Sequence, residues 1–236
     1  MDRYNNLPDH QHAVYVGTFF AQVFAWMSFG LALTATVSWF IFYQKPQILD
    51  HLMQSPFLLM GLFIIQLGLV FWFSASVLKM SFGSALTIFL LYAFLNGITF
   101  SGIFFTYTQE SIALTFGICA AIFLIMALFG HTTNINLTPI GFFGLMILIG
   151  LIITMLINWF VQSSMLEMII SVIGIVLFSA LTAYDIQQLR LFADQLQSGK
   201  NQSITHRVAL LGALKLYLDV INLFVMLLSF TGKRRD

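Results

Sequence analysis

Charge is what this sequence has least of. Ten lysines and arginines and nine aspartates and glutamates are spread over 236 residues, 8% of the chain, where a soluble domain carries about 25%. Hydrophobic residues make up 59%, so a soluble fold of this length would have to leave its outer face apolar. That excludes a soluble domain. The few charges nearly cancel, to a formal net charge of +1, which leaves no electrostatic footprint for nucleic acid as a partner. A single cysteine, Cys119, excludes an internal disulfide. Strict alternation of apolar and polar residues is missing too, and with it a transmembrane β-barrel. The residues before the first apolar run lack a basic segment, and that run is too long for a signal peptide's hydrophobic region. No internal repeat, low-complexity tract or second domain is visible.

What the chain does have is long apolar runs. A helix needs roughly 20 apolar residues to cross the hydrocarbon core, and such runs recur seven times: Ala13–Phe42, Phe57–Val77, Phe82–Tyr107, Ser111–Gly130, Ile140–Phe160, Met168–Leu189 and Val208–Phe230. Breakers and charges fill the gaps, among them Lys45, Pro46 and Asp50, Lys79, Glu110, the stretch 131–139, Glu167, and the polar stretch Arg190–Arg207. The expected architecture is an all-α integral membrane protein, a seven-transmembrane-helix bundle. A short polar N-terminal tail (1–12) precedes a single transmembrane domain (13–230), and a basic C-terminal tail (231–236) follows it.

Seven spans place the two termini on opposite sides. The N-terminal side then carries Arg3, Lys79, Arg190, Lys200 and Arg207, and the other side Lys45 with the terminal cluster Lys233, Arg234 and Arg235. Short loops weigh most in the positive-inside rule, so the loops predict a cytoplasmic N-terminus, against the pull of the terminal cluster; a re-entrant last helix would put both ends on the cytoplasmic side.

Function is sought among residues that hydrocarbon tolerates poorly. An ionisable residue deep in a span costs about 2.5–3.5 kcal/mol on insertion scales. Three qualify: Asp185 near the end of the sixth run, and Lys215 and Asp219 within the seventh. Consecutive spans joined by a polar loop run antiparallel, so both aspartates enter from the same face. In the seventh run Gly212, Lys215, Asp219, Asn222 and Met226 recur every three or four residues, one stripe down a helix; Ser171, Gly174, Phe178, Thr182 and Asp185 draw a similar line on the sixth. With polar residues in its middle and apolar ends, the seventh helix is expected to be the central one.

The strings Leu181-Thr-Ala-Tyr-Asp185 and Leu211-Gly-Ala-Leu-Lys-Leu-Tyr-Leu-Asp219-Val-Ile-Asn222-Leu-Phe resemble the two signature segments of the Bax inhibitor family, the transmembrane Bax inhibitor motif proteins. The likeness extends through Asn96-Gly-Ile-Thr99 and Ala21-Gln-Val-Phe-Ala-Trp-Met27, covers nearly the whole chain, and is closest to bacterial inner-membrane members. It implies a seven-helix bundle with the last helix central, acting as a pH-sensitive calcium leak; no catalytic residue and no tightly bound cofactor is expected. Asp185 and Asp219 take the positions of the family's pH-sensing pair, beside Tyr184 in the first string. Where some relatives carry a glutamate partway down the second span, this chain has Gln66. For a basic latch at the cytoplasmic end of that span the candidate is Lys79. Lys215 stands where close relatives usually have a small polar residue, and is a second latch candidate.

The chemistry suits that implication. Two carboxylates close together in a medium of low dielectric cannot both ionise cheaply, so they titrate as a unit. One shared proton clamps two helices; losing it brings repulsion and a negative site for a cation. Calcium takes six to eight oxygen ligands, so two aspartates supply only the weak, transient site that conduction needs. Plainer readings stand beside this one. Asp219 with Lys215 fits a neutralised intrahelical pair, Asp185 fits a helix-end residue among headgroups, and Asn222, Asn96 and Gln66 fit hydrogen-bonding glue between helices. Intramembrane aspartyl proteases also pair a tyrosine-aspartate with a second aspartate, but need glycines before it, where this chain has Leu216, Tyr217 and Leu218. The chain is therefore not expected to be an enzyme. The alternative to a leak is a non-conducting regulator that binds a membrane-bound AAA protease, as some bacterial relatives do; eukaryotic members modulate cell death.

A cytoplasmic Arg190–Arg207 segment predicts that a cysteine at Ser198, in a Cys119→Ala background, resists an impermeant thiol reagent added to intact cells. Labelling from outside reverses the assignment.

Overall fold

The computed structural model describes residues 9–196 and 202–235. Its helices are α1 (Asp9–Gln44), α2 (Pro46–Gln54), α3 (Pro56–Ser76), α4 (Phe82–Thr106), α5 (Gln109–Thr132), α6 (Thr138–Val161), α7 (Ser164–Leu196) and α8 (Gln202–Thr231), with a 3-10 turn at Val77–Lys79. Seven of them are long and apolar enough to cross a membrane, and each matches one expected span. In hydrocarbon every backbone N–H and C=O must be satisfied within the chain, and a helix does this locally. Proline opens α2 and α3 and lies in the first turn of α6, where its missing N–H costs nothing. The Thr108 side chain caps α5 by accepting from the Ser111 N–H. At the end of α6, Gln162 adopts φ 52°, a left-handed stop, and the Asn158 side chain accepts from the next N–H, at Ser163.

Three boundaries differ from the sequence reading. The gap after the first span holds a short helix, α2, whose Leu49 is buried while Gln47, Asp50 and His51 are exposed. Helix α1 begins at Asp9, inside the stretch expected to be tail; residues 1–8 lie outside the described part. The largest difference is α7, which runs seven residues past Leu189 to Leu196, so Arg190 and Asp194 are helical rather than in a loop. Residues 197–201 of that expected loop lie outside the described residues.

The large exposed side chains are apolar: Phe57 of α3, Leu114 of α5, Phe160 of α6 and Val176 of α7 are each more than 60% exposed. In water these faces would associate; in a bilayer they meet acyl chains. Helix α8 is the exception. From Ile204 to Ser229 none of its residues is exposed, and 61% of its most apolar window is buried, against 11–39% for the other spans.

Two compact units divide the chain: Met1–Thr106 with Phe192–Tyr217, and Tyr107–Leu191 with Leu218–Asp236. In the first, α1 and α4 meet where a side chain at Gly97 would collide with Val37 and the Thr34 carbonyl. Fully buried Tyr217 lies edge-on to Phe89 and Tyr92. Thr34 donates its one hydroxyl proton to the Ala93 carbonyl (2.9 Å), so the Tyr217 hydroxyl, 2.7 Å from Thr34 Oγ1, is the donor to it. Arg207 donates to the carbonyls of Leu78 (2.6 Å) and Met80 (2.9 Å), tying the start of α8 to the end of the second span.

In the second unit the C-terminal tail folds back. The Thr108 N–H donates to the Lys233 carbonyl (3.1 Å), the Lys233 N–H donates to Ser111 Oγ (2.9 Å), and Arg234 pairs with Tyr107 in an isolated antiparallel bridge. Glu167 Oε1, at the start of α7, accepts from Ser229 Oγ (3.1 Å) and from the Arg234 guanidinium (2.7 Å). That hydrogen bond, and then the charge of Glu167, raise the Arg234 guanidinium above its ordinary pKa. The ion pair is exposed, at 62% for Arg234 and 37% for Glu167, so its net worth is about 0.2–1 kcal/mol. A double-mutant cycle with Glu167→Gln and Arg234→Gln, read by unfolding in detergent at low salt, is expected to show coupling of that size. Strict additivity would mean the tail is held by its backbone bonds alone.

Candidate functional site

Helix α7 and the second half of α8 carry the intramembrane aspartates, Asp185 and Asp219, and α5 packs against both helices. Helix α5 lies against α7 so closely that a Cβ at Gly130 would strike the backbone of Ala183. Against α8, α5 brings Cys119, whose thiol donates to the Val220 carbonyl (3.5 Å), and Phe116, edge-on to Phe224. Helices α7 and α8 touch directly: a Cβ at Gly174 would lie 2.6 Å from Met226 Cγ and Sδ. With the Glu167–Ser229 bond one end further along, these contacts define an antiparallel pairing.

That pairing fixes the faces on which the two aspartates lie. Asp185 is eleven residues from Gly174 on α7, and Asp219 seven residues from Met226 on α8. At 3.6 residues per turn both offsets return to within about 20° of the contacting face. The difference of four residues leaves their depths about 6 Å apart along the axis at 1.5 Å per residue. The line Ser171, Gly174, Phe178 and Thr182 is buried, and Asp185 is half-buried. On α8 Asp219 is 5% exposed, with Gly212 and Met226 buried and Lys215 and Asn222 half-buried. Both stripes expected to face inward therefore do so. Because α7 continues to Leu196, Asp185 stands eleven residues inside its helix, roughly 16 Å from the end. It is not a helix-terminal residue.

The remaining candidates scatter. Tyr184, next to Asp185, lays its ring over Gly141 at the start of α6, where a Cβ would overlap it. Gln66 and Lys79 belong to the other unit. Gln66 is buried and its Nε2 donates to Thr99 Oγ1 (2.7 Å), a bond between α3 and α4 of the kind expected of interhelical glue. Asn96 instead donates to its own helix, at the Tyr92 carbonyl (3.0 Å). Lys79 is exposed at the end of the 3-10 turn; the cation bonded to that turn is Arg207. Among the described residues no three His, Cys, Asp or Glu side chains cluster as a metal site.

Sequence reasoning passed over Gln187 and Arg190. Gln187 is buried and makes two bonds to the α5–α6 connection: its Oε1 accepts from the Leu137 N–H (2.9 Å) and its Nε2 donates to the Ile135 carbonyl (2.7 Å). The Arg190 guanidinium donates to the His131 carbonyl. The available signal was spacing: Ala183, Gln187 and Arg190 fall at intervals of four and three, one helical face that continues beyond Leu189.

The fold and this arrangement define a seven-span membrane protein with two acidic residues on facing helices. A family model described as "Inhibitor of apoptosis-promoting Bax1" matches residues 16–236. The chain is 41% identical over 218 residues to the inner membrane protein YbhL of Escherichia coli K12, covering 92% of each chain. It is 41% identical over 228 residues to an uncharacterized protein of Borreliella burgdorferi, covering 97% of each. A Deinococcus radiodurans protein shares 40% over 221 residues, 94% of this chain and 92% of its own. The chain belongs to the Bax inhibitor family.

The two glycine contacts predict opposite tolerances. At Gly130 the obstacle is backbone, so Gly130→Ala is expected to cost about 1–3 kcal/mol, the range for overpacking. At Gly174 it is the flexible Met226 side chain, and Gly174→Ala is expected to cost less than half as much. Unfolding in detergent checks the order; equal costs would contradict the close α5–α7 approach.

Proposed function

We propose that this protein is a pH-sensitive calcium leak of the bacterial inner membrane, gated by a proton shared between Asp185 and Asp219. What supports the reading is that antiparallel α7 and α8 touch at Gly174 and Met226, that Asp185 and Asp219 share those faces by helical spacing, and that Asp219 is only 5% exposed. A carboxylate in such surroundings costs several kcal/mol unless it is neutralised or given a counter-ion, and a shared proton does this for two at once. In the singly protonated pair the hydrogen bond draws α7 to α8 and the path is closed. Full ionisation replaces that bond with repulsion, loosens the contact and leaves a negative site for a cation. Two carboxylates fall well short of the six to eight oxygens of a tight calcium site, which favours passage over retention. Lys215 lies one turn before Asp219 on α8 and offers a countercharge to it. Asn222, one turn beyond, continues the polar stripe. The inner-membrane location follows the name of the Escherichia coli relative, and the basic loops support a cytoplasmic N-terminus.

Purified protein in liposomes loaded with a calcium dye is expected to leak more as pH rises. Asp185→Asn and Asp219→Asn keep the shape and remove the titration, so each is expected to flatten the pH profile. Asp50→Asn, on exposed α2, is expected to leave it intact. Full pH response in both site variants would refute the gate. No flux from wild-type protein at any pH would favour the non-conducting regulator and its membrane-protease partner.

A further inference from the structure

Helix α7 has two working faces. Asp185 shares one with Gly174, the residue in contact with α8. The other carries Ala183, Gln187 and Arg190, and all three engage the end of α5 or the α5–α6 connection. Seen down the axis, Asp185 lies roughly 140–160° from each of these three, essentially across the helix. Between the two faces, Tyr184 fills the space over Gly141 of α6.

Gln187 is the centre of the second face. Its amide is used in both directions, accepting at Oε1 from Leu137 and donating through Nε2 to Ile135, with 5% of the residue exposed. A carboxylate in its place would keep the acceptor and lose the donor; an apolar side chain would lose both and leave the buried Leu137 N–H unsatisfied. Leaving such groups unmade is more costly than the bonds are worth when formed. The amide therefore fixes the rotation and depth of α7 half a turn beyond Asp185, against a connection of only five residues between α5 and α6.

We infer that Gln187 is a positioning residue for the gate: its two bonds to the α5–α6 connection hold α7 at the rotation that aims Asp185 at α8. This rests on the leak reading above and extends it to a residue outside the ion path. Other titratable or charged groups of this unit on the elements packed here are Tyr184 and Arg190 on α7, Cys119 and His131 on α5, and Asp219 on α8; α6 contributes none. None of them is altered in the test.

The test compares wild type, Gln187→Met and Gln187→Glu in calcium-loaded liposomes across pH, with hydrogen exchange at the Leu137 amide as the structural readout. Gln187→Met preserves length and removes both bonds. Exchange at Leu137 is expected to rise, and leak at the acidic, closing end of the profile to increase at least severalfold, with a shallower pH response. Gln187→Glu keeps the bond to Leu137, and is expected to restore protection there and recover part of the closure. It also serves as the reporting variant if Gln187→Met does not fold: intact protection with raised acid leak supports the assignment, and a wild-type profile overturns it. Faster Leu137 exchange in Gln187→Met with an unchanged pH profile overturns it as well, leaving Gln187 a purely structural tie. A wild-type protein without pH response is a different failure, visible before any substitution, and removes the gate itself.

Discussion

In hydrocarbon a polar group has no water to fall back on, so each must be met by another part of the same molecule, and that requirement organises this protein. It forces the backbone into helices and leaves side-chain hydroxyls and amides to bond carbonyls one turn back or on a neighbouring helix. Thr34, Thr182 and Ser171 bond backbone carbonyls in this way. It also explains why the few ionisable residues inside spans collect on α7 and α8. The faces of the other spans are apolar because they are the solvent boundary, and α8 can carry Lys215 and Asp219 because its surface is covered.

The same requirement makes small residues structural. Where backbones approach closely, at Gly130 against Ala183 and at Gly97 against Thr34, dispersion contacts replace the hydrophobic drive that lipid does not supply. Such contacts are short-ranged. They suit an arrangement in which one face of α7 is fixed to its neighbours and the opposite face carries the ionisable Asp185.

The spans were legible because each is a run of apolar residues whose period needed no decision, and both polar stripes could be read because Gly174, Asp185, Asp219 and Met226 keep helical spacing. The extent of α7 was not legible. Arg190-Leu-Phe-Ala-Asp194 mixes charge with apolar residues, and hydropathy cannot tell a helix leaving the membrane from a loop. The bonds of Gln187 were hidden for another reason: its partners are backbone atoms about fifty residues away, and backbone atoms leave no trace in a sequence. Lys79 is the cation that the family resemblance singles out at the end of the second span, while Arg207, distant in sequence, bonds the carbonyls on either side of it.

The cover over α8 also bears on how the protein is made. This helix emerges from the ribosome after the other six spans, yet it has no exposed residue between Ile204 and Ser229. The earlier spans must therefore wait in the bilayer with their α8-facing surfaces against lipid or against one another. Completion is the late insertion of α8, and the tail that follows bonds to the start of α5 at Thr108 and Ser111. Biogenesis of this protein thus has a vulnerable interval, between release of the sixth span and arrival of the seventh, in which its most polar intramembrane surfaces are unsealed.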